Sequence, residues 1–438
     1  MKEDELYQRI FGDLDKPMDE KEVKFASPYE EVFADIYKIQ STYYDYFKEN
    51  GYCFVGLVNR FQWDIERYAN PFDDSEFDIY NMDDWIGWRI DGKFFCLGMI
   101  AQAGAGKTTI SKNIIGQYHK QGYKILIISS KDDEFSMSVN RKGTGYRLHP
   151  YNRPDTLPVK SFVPNYVKDY IMSEKPKNYT TYKYYSHSIK DFRTPEIWQA
   201  LGLTRVVADR ICSLIGDGIT SLSEIKNKLW KSNLAHQSIG PAMPKIDNLI
   251  GTNFLSAHTD PLPLYEEWEK NNIVAVNYFS QSGFFMSTDI ARLVEMVKNI
   301  GTKYKKQGRE QRMLIVFDDM QMYADPSDKE NEYSIKSIKY CQYNGRSKGI
   351  DLILSFQDPD LVDKKILRGI QIFLVSHFAQ PDVLSGILDF ETIKVMKASE
   401  EQKGTIYDTD SFTKEWILKL EGKKWYRLIP EGCHYYHK

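Results

Sequence analysis

The chain has 438 residues, 42% of them hydrophobic and 14% aromatic, enough to bury a large core and more than one minimal domain needs. A formal net charge of -3 and a pI near 6.3 exclude a globally basic protein, so any contact with nucleic acid has to rest on a local patch or on a pore built by several subunits. The five cysteines (Cys53, Cys96, Cys212, Cys341, Cys433) are far apart and form no C-x-x-C pair. No apolar run approaches the roughly 18 residues of a membrane helix, and the start MKEDELYQRIFGDLDKP is too acidic for a signal peptide, so a cytoplasmic protein with reduced thiols is expected.

Residues 1–84 are acidic and aromatic with little glycine. Residues 13–23 read as an exposed arm. Residues 28–50 set Val32, Ile36, Ile39 and Tyr43 at helical spacing, with Gly51 as a stop. The Tyr/Phe stripe there reads as a packed helix face before a base-stacking surface. CFVGLVNRF (residues 53–61) suits a short strand, and the carboxylates of residues 70–84 suit a solvated linker better than a metal site.

From Trp85 a nucleotide-binding core is expected. The strand-like run KFFCLGMI leads into AQAGAGKTT (residues 101–109) and then a helical pattern reaching about Lys120. Strand, Gly-rich turn and helix are the parts of a phosphate-binding loop. Backbone N–H groups of Gly104, Ala105, Gly106 and Thr109 would close on the phosphates of ATP, Lys107 would reach the β/γ oxygens, and the Thr108 hydroxyl would hold Mg²⁺. The pattern opens on Ala101 instead of glycine, which costs nothing at negative φ and strains the chain at positive φ. KILIISS (residues 124–130) completes a β–loop–α–β opening. Asp132, Asp133 and Glu134 then follow the carboxyl end of a strand, where open α/β sheets bind ligands; a solvated turn explains them equally well.

Residues 141–263 break this alternation and read as an insertion. Lys168 to Arg193 interleaves cations with Tyr179, Tyr182, Tyr184 and Tyr185, a composition suited either to a nucleic-acid strand or to a solvated loop with tyrosines packed on the parent domain. A small helical subdomain follows, with Ser221-x-x-Glu224 as a capping box. NIVAVNYF (residues 272–279) is a buried-strand pattern, and residues 287–307 form an amphipathic helix with Ser287 as candidate N-cap. MLIVFDD (residues 313–319) ends a buried strand in two acids. Beside a phosphate loop, Asp318 is placed to hold Mg²⁺ through water and Asp319 to polarise the attacking water. DLILSF (residues 351–356) is another parallel-type strand, and Gln357 at its end either touches the γ-phosphate or caps the turn. Residues 370–375 supply one more strand, and residues 416–430 alternate around Glu421-Gly422 as a hairpin.

The order of motifs resembles the HerA/FtsK family of P-loop motor ATPases, which includes DNA translocases, conjugative ATPases and viral packaging ATPases. The matching stretches are AQAGAGKTT, LIISSKDDEFS, NIVAVNYF, MLIVFDD, NGRSKGI and LILSFQDP. The most telling is a small Arg-containing turn ending in Gly-Ile, followed by a strand and Ser-x-Gln-x-Pro. The resemblance covers residues 85–134 and 272–430 and implies an α/β, RecA-like (ASCE) P-loop NTPase fold with a mainly parallel central sheet. To this the reading adds an N-terminal extension (1–84) and a helical insertion (141–263) between core parts 85–140 and 264–438.

The same resemblance makes Lys107 and Thr108 the phosphate and Mg²⁺ residues, Asp318 the metal-linked acid and Gln357 the γ-phosphate sensor. Arg346 is implied as an arginine finger inserted into a neighbouring subunit's site, with Arg368 as the fallback. Many relatives end the acidic strand with Asp-Glu, whereas this chain has Asp318-Asp319. Glu134, which matches a Glu of part of the family, shares the candidacy for catalytic base with Asp319. Ser130 stands where the family has an Asp. The implied function is Mg²⁺-dependent ATP hydrolysis by a homo-oligomeric ring, a hexamer in expectation, that moves double-stranded DNA. The chain would be cytoplasmic, or virion-associated as a packaging motor, with residues 1–84 facing a capsid, nuclease or transfer-apparatus partner. Two rivals stay open: an ATPase that energises protein secretion or assembly, and a nucleotide-dependent switch without a motor.

Overall fold

Runs of β-branched and apolar residues buried on both faces build parallel strands, and KILIIS, IVAVN, MLIVFD and IDLILSF are such runs. The computed structural model describes residues 52–58, 79–82, 85–90, 95–101, 106–130, 157–176, 179–256, 261–279, 284–376, 416–420 and 425–430. Along the chain these form β1 (Tyr52–Val58), β2 (Ile79–Met82), β3 (Trp85–Arg89), β4 (Cys96–Ile100), α1 (Lys107–Lys120), β5 (Lys124–Ser129), β6 (Val159–Pro164), α2 (Lys168–Glu174), β7 (Lys183–Tyr185) and β8 (His187–Ser188). A helical run follows: α3 (Pro195–Ala200), α4 (Arg205–Gly216), α5 (Leu222–Trp230), α6 (His236–Ile239) and α7 (Ala242–Gly251). The chain continues through β9 (Leu255–Ser256), α8 (Leu264–Glu269), β10 (Ile273–Asn277), α9 (Phe284–Lys306), β11 (Met313–Asp318), α10 (Gln321–Ala324), α11 (Glu332–Lys348), β12 (Ile350–Phe356), α12 (Lys364–Arg368), β13 (Ile372–Ser376), β14 (Trp416–Leu420) and β15 (Trp425–Pro430).

Thirteen strands make one sheet in the order β2-β3-β1-β15-β14-β13-β4-β12-β11-β5-β10-β6-β7. From β13 to β7 every neighbouring pair is parallel, and from β13 outward to β2 every pair is antiparallel. β12 separates the phosphate-loop strand β4 from the acid-tipped strand β11, the order of a RecA-like P-loop NTPase. One face, with Ile125, Ile127, Leu314, Val316 and Ile353, packs on α1 through Ile110, Ile114 and Ile115. Each of these three isoleucines contributes about 2 kcal/mol relative to exposure. The opposite face, with Leu126, Val274, Ile315 and Leu352, packs on α9 and α11 through Ile290, Leu293, Val297 and Ile338.

Three sequence expectations meet a different structure. First, residues before Trp85 join the core sheet: β1 pairs with β3 and β15, and β2 with β3. Second, residues 141–263 are not wholly outside the alternation, because β6 and β7 extend the parallel sheet beyond β10. Third, Ser287 is not an N-cap. The helix already includes Phe284, and Ser287 Oγ is buried, donating to Ser334 Oγ at 3.1 Å and accepting from Ser334 N at 3.0 Å. The Ser221 cap is as expected, its hydroxyl accepting from Glu224 N at 3.4 Å.

The basic, Tyr-rich segment resolves toward packing. Tyr182 and Tyr185 are buried, and the Tyr185 hydroxyl donates to Asp289 Oδ2 at 2.7 Å. Tyr278 donates to the same oxygen at 3.1 Å, and His187 Nε2 meets Asp289 Oδ1. A carboxylate with 0% exposure on α9 thus ties β7 and β8 to the core. Beyond it, α3 to α7 enclose their own apolar cluster around Trp198, Ile211, Ile225 and Ile246. Of residues 70–84, expected as a solvated linker, 79–82 form β2 paired antiparallel with β3, and 70–78 lie outside the described residues, as do the helical pattern of residues 28–50 and Cys433; Cys53, Cys96 and Cys341 are buried thiols. Burial pushes the Cys96 thiol up to about 12.

Candidate nucleotide site

β4 ends at Ile100, and α1 starts at Lys107 behind Gly106, whose φ of 96° lies where only glycine is relaxed. Ala101 is fully buried and is absent from the positive-φ residues, so the alanine that replaces the motif's first glycine carries no backbone strain. Gly104 and Ala105 lie outside the described residues, as does Glu134. The first turn of α1 holds Lys107 and Thr108, 4% and 9% exposed, and contains no acidic residue. A helix N-terminus without an acidic side chain, with its dipole, suits an anion. Lys107 Nζ donates to the Ala101 carbonyl at the end of β4.

Asp318 is the last residue of β11 and has 0% exposure. Its Oδ2 accepts from Ser129 Oγ at 3.4 Å, and its backbone carbonyl accepts from Tyr323 Oη at 2.9 Å. Burial, with the charges of Asp318 and Asp319, pushes the Tyr323 phenol well above its ordinary value, so it remains a donor. Asp319 turns the chain at φ 49°, one of five non-glycine residues with positive φ among those described. Such a conformation costs about 1 kcal/mol for a side chain of this type. Gln357, half-buried just past β12, donates from Nε2 to Asp319 Oδ1 at 3.4 Å and from its backbone N–H to Gln321 Oε1 at 3.3 Å.

These tips share one level and one face. Asn277 is paired with Ser129, Ser129 with Asp318, and Ser355 with Met99, while Phe317 pairs with Leu354 one residue earlier. The face is the one covered by α1, since Ser111 Oγ lies 3.8 Å from Met99 Sδ. Asn277, Ser129, Asp318 and Ser355 all have 0% exposure and form a polar row that closes the apolar face at its carboxyl edge. Of this row the sequence singles out Asp318 and not Asn277, Ser129 or Ser355. The available signal was period-two alternation: in IVAVN the asparagine takes the inward place that Ile273 and Ala275 fill with apolar atoms.

The site brings Lys107, Thr108, Asp318, Asp319 and Gln357 to one edge and leaves the arginines elsewhere. The stretch NGRSKGI, expected as a turn, is the last turn of α11 capped by Gly349 at φ 68°. A Cβ at Gly349 would approach Gln311 O to 3.2 Å. Arg346 is exposed there, and Met313 N donates to Gly349 O at 2.8 Å, which fixes this turn at the amino edge of β11 and β12. Seven-residue β12 separates it from the phosphate loop by about 20 Å. Arg368, also exposed, ends α12 before β13 at the same amino edge.

Among the described residues no group of three or more His, Cys, Asp or Glu side chains could hold a metal. The donors at the phosphate edge are instead the Thr108 hydroxyl and the Asp318 carboxylate. An oxygen-only set with one carboxylate fits Mg²⁺, which usually takes its other ligands from water and substrate phosphates.

No family model matches the chain, and no curated protein matches it. Among solved structures the chain is similar to VirB4 of Thermoanaerobacter pseudethanolicus, at 12% identity over 77% of this chain and 89% of that one, with a TM-score of 0.49. It is also similar to the plasmid coupling protein TrwB in complex with a non-hydrolysable GTP analogue, at 10% identity over 76% and 78%, TM-score 0.42. The genome packaging NTPase B204 of Sulfolobus turreted icosahedral virus 2, in complex with ATP-gammaS, matches at 9% identity over 76% and 96%, TM-score 0.33. These are structures of the HerA/FtsK type. With TM-scores below 0.5 they add no weight to the fold, which rests on the strand order.

Proposed function

We propose that the chain is a Mg²⁺-dependent ATPase that works as a homo-oligomeric ring, a hexamer by family resemblance, and moves double-stranded DNA through its pore. The observation that carries this reading is the meeting of the β11 and β12 tips, where Gln357 bonds to Asp319 beside Asp318, at the edge where Lys107 and Thr108 open α1. No helix of the described residues is long and apolar enough to cross a membrane.

In this reading the backbone of residues 104–109 receives the phosphates, and Lys107 exchanges the Ala101 carbonyl for phosphate oxygens. Thr108 and Asp318 would hold Mg²⁺, which when bound neutralises phosphate charge. Asp319 or Glu134 takes the proton of the attacking water, and Gln357 holds that water or the γ-phosphate. Arg346 cannot reach across the sheet of its own subunit, so its cation would serve a neighbour's site, which makes turnover depend on assembly. A motor that grips backbone phosphates needs no sequence-reading module.

The test is steady-state ATP turnover with and without linear duplex DNA, with Lys107→Ala as the blank. The reading expects Mg²⁺-dependent turnover that DNA raises severalfold. Turnover indifferent to DNA would favour an ATPase directed at protein secretion or assembly, and the absence of turnover with nucleotide still bound would favour a switch.

A further inference from the structure

Asn277 has 0% exposure, and among the described residues neither its Nδ2 nor its Oδ1 finds a hydrogen-bond partner. An unmet buried polar group costs about 1–3 kcal/mol, and the rest of its face on β10 is apolar, with Ile273 and Ala275. An amide kept there against the stability of the fold needs a reason outside the fold. Its neighbour across the ladder is Ser129, whose hydroxyl donates to Asp318 Oδ2 at 3.4 Å. The serine oxygen can therefore take a further contact only as an acceptor, and an amide N–H₂ is a donor. Adjacent strands are about 4.8 Å apart, within reach of a direct bond after a rotamer change or of one bridging water. On the far side of Asp318, Ser355 Oγ is likewise buried and unmet.

We propose that Asn277 is a positioning residue for the Mg²⁺-linked acid: its amide N–H, given to Ser129 directly or through one water, holds the Ser129 hydroxyl on Asp318 and keeps that carboxylate in one orientation. This rests on the reading of Asp318 as the metal-linked residue. It makes Asn277 a determinant of Mg²⁺-dependent nucleotide affinity that does not stabilise the resting fold.

The experiment compares the full native chain with Asn277→Leu, which has the same number of side-chain heavy atoms, with Asn277→Ala, with Ser129→Ala and with the Asn277→Leu/Ser129→Ala double variant. Chemical unfolding without nucleotide or metal is read beside the Mg²⁺ dependence of binding a fluorescent ATP analogue. Asn277→Leu is expected to unfold at the same denaturant concentration as the native chain or higher, yet to need about tenfold more Mg²⁺, the lower end of effects seen when groups behind metal ligands are removed. Ser129→Ala should show the same shift, and the double variant no further one. If the leucine overpacks the site, Asn277→Ala repeats the binding test without added volume. Native Mg²⁺ dependence in both Asn277 variants overturns the proposal alone. A native chain that binds the analogue with no Mg²⁺ dependence overturns the metal reading of Asp318 and the proposal together.

Discussion

Gln357 Nε2 donates to Asp319 Oδ1 across 3.4 Å, joining the end of β12 to the turn that leaves β11. The contact ties the two polar groups best placed to handle an attacking water, and it leaves the amide's second N–H and its carbonyl for other partners. Gln357→Ala should keep nucleotide affinity within about threefold while lowering kcat roughly 10²-fold, the size of effect seen for one lost polar contact at a transition state. Separate measurement of KM and kcat checks this, and a loss confined to KM would make Gln357 a binding residue.

Asp319 combines a site position with a left-handed backbone. Asp319→Gly relaxes φ and Asp319→Ala cannot, so the glycine variant should be the more stable of the two by about 1 kcal/mol in urea unfolding. Both remove the carboxylate and should lower kcat alike if Asp319 is the base. Full turnover in either variant would transfer that role to Glu134.

The sheet is legible because its central strands are short apolar runs ending at or just before Ser, Asn, Asp or Gln, and the strands read from sequence lie within about three residues of their observed bounds. What the sequence hid was non-local. Sequence leaves Tyr182 and Tyr185 open between base stacking and packing, because their burial depends on Asp289 and Phe279, about a hundred residues away. β6 and β7 were missed because VKSFVP and KYY are half-polar at their first positions, β7 being the edge strand and β6 its neighbour. Ser287 fits a cap signature, but a helix start is set by tertiary context as well, and its hydroxyl is spent on Ser334. In the site, Lys107, Thr108 and Asp318 follow from local spacing. Asn277 and Ser355 become informative only once the register sets them beside Ser129 and Asp318.

At the opposite edge Asp351, 1% exposed, takes two bonds from Arg312 Nη2, at 2.8 and 2.9 Å, and one from Phe95 N at 3.1 Å. Burial pushes its carboxyl from 3.8 up to about 6, against the pull of Arg312. A raised folded value means that the folded chain holds the proton more tightly. The associated stability is complete below pH 3.8 and is lost as pH rises through about 6. Asp351→Asn keeps an acceptor for Phe95 and cannot ionise, so native stability minus variant stability should fall between pH 4 and pH 7. Urea midpoints across that range test the sign, and a rising difference would mean that Arg312 outweighs burial.

In the proposed ring ATP is hydrolysed between subunits, with Lys107 from one and Arg346 from the next. The direct measurement mixes Lys107→Ala and Arg346→Ala chains, each inactive alone, and reads ATP turnover at a concentration where the native chain is fully active. Random assembly around a heterologous interface pairs an intact loop with an intact arginine at about a quarter of the sites, so turnover should recover toward a quarter of the native rate. A mixture as inactive as its parents, or an Arg346→Ala chain that turns over ATP at the native rate alone, would contradict the claim.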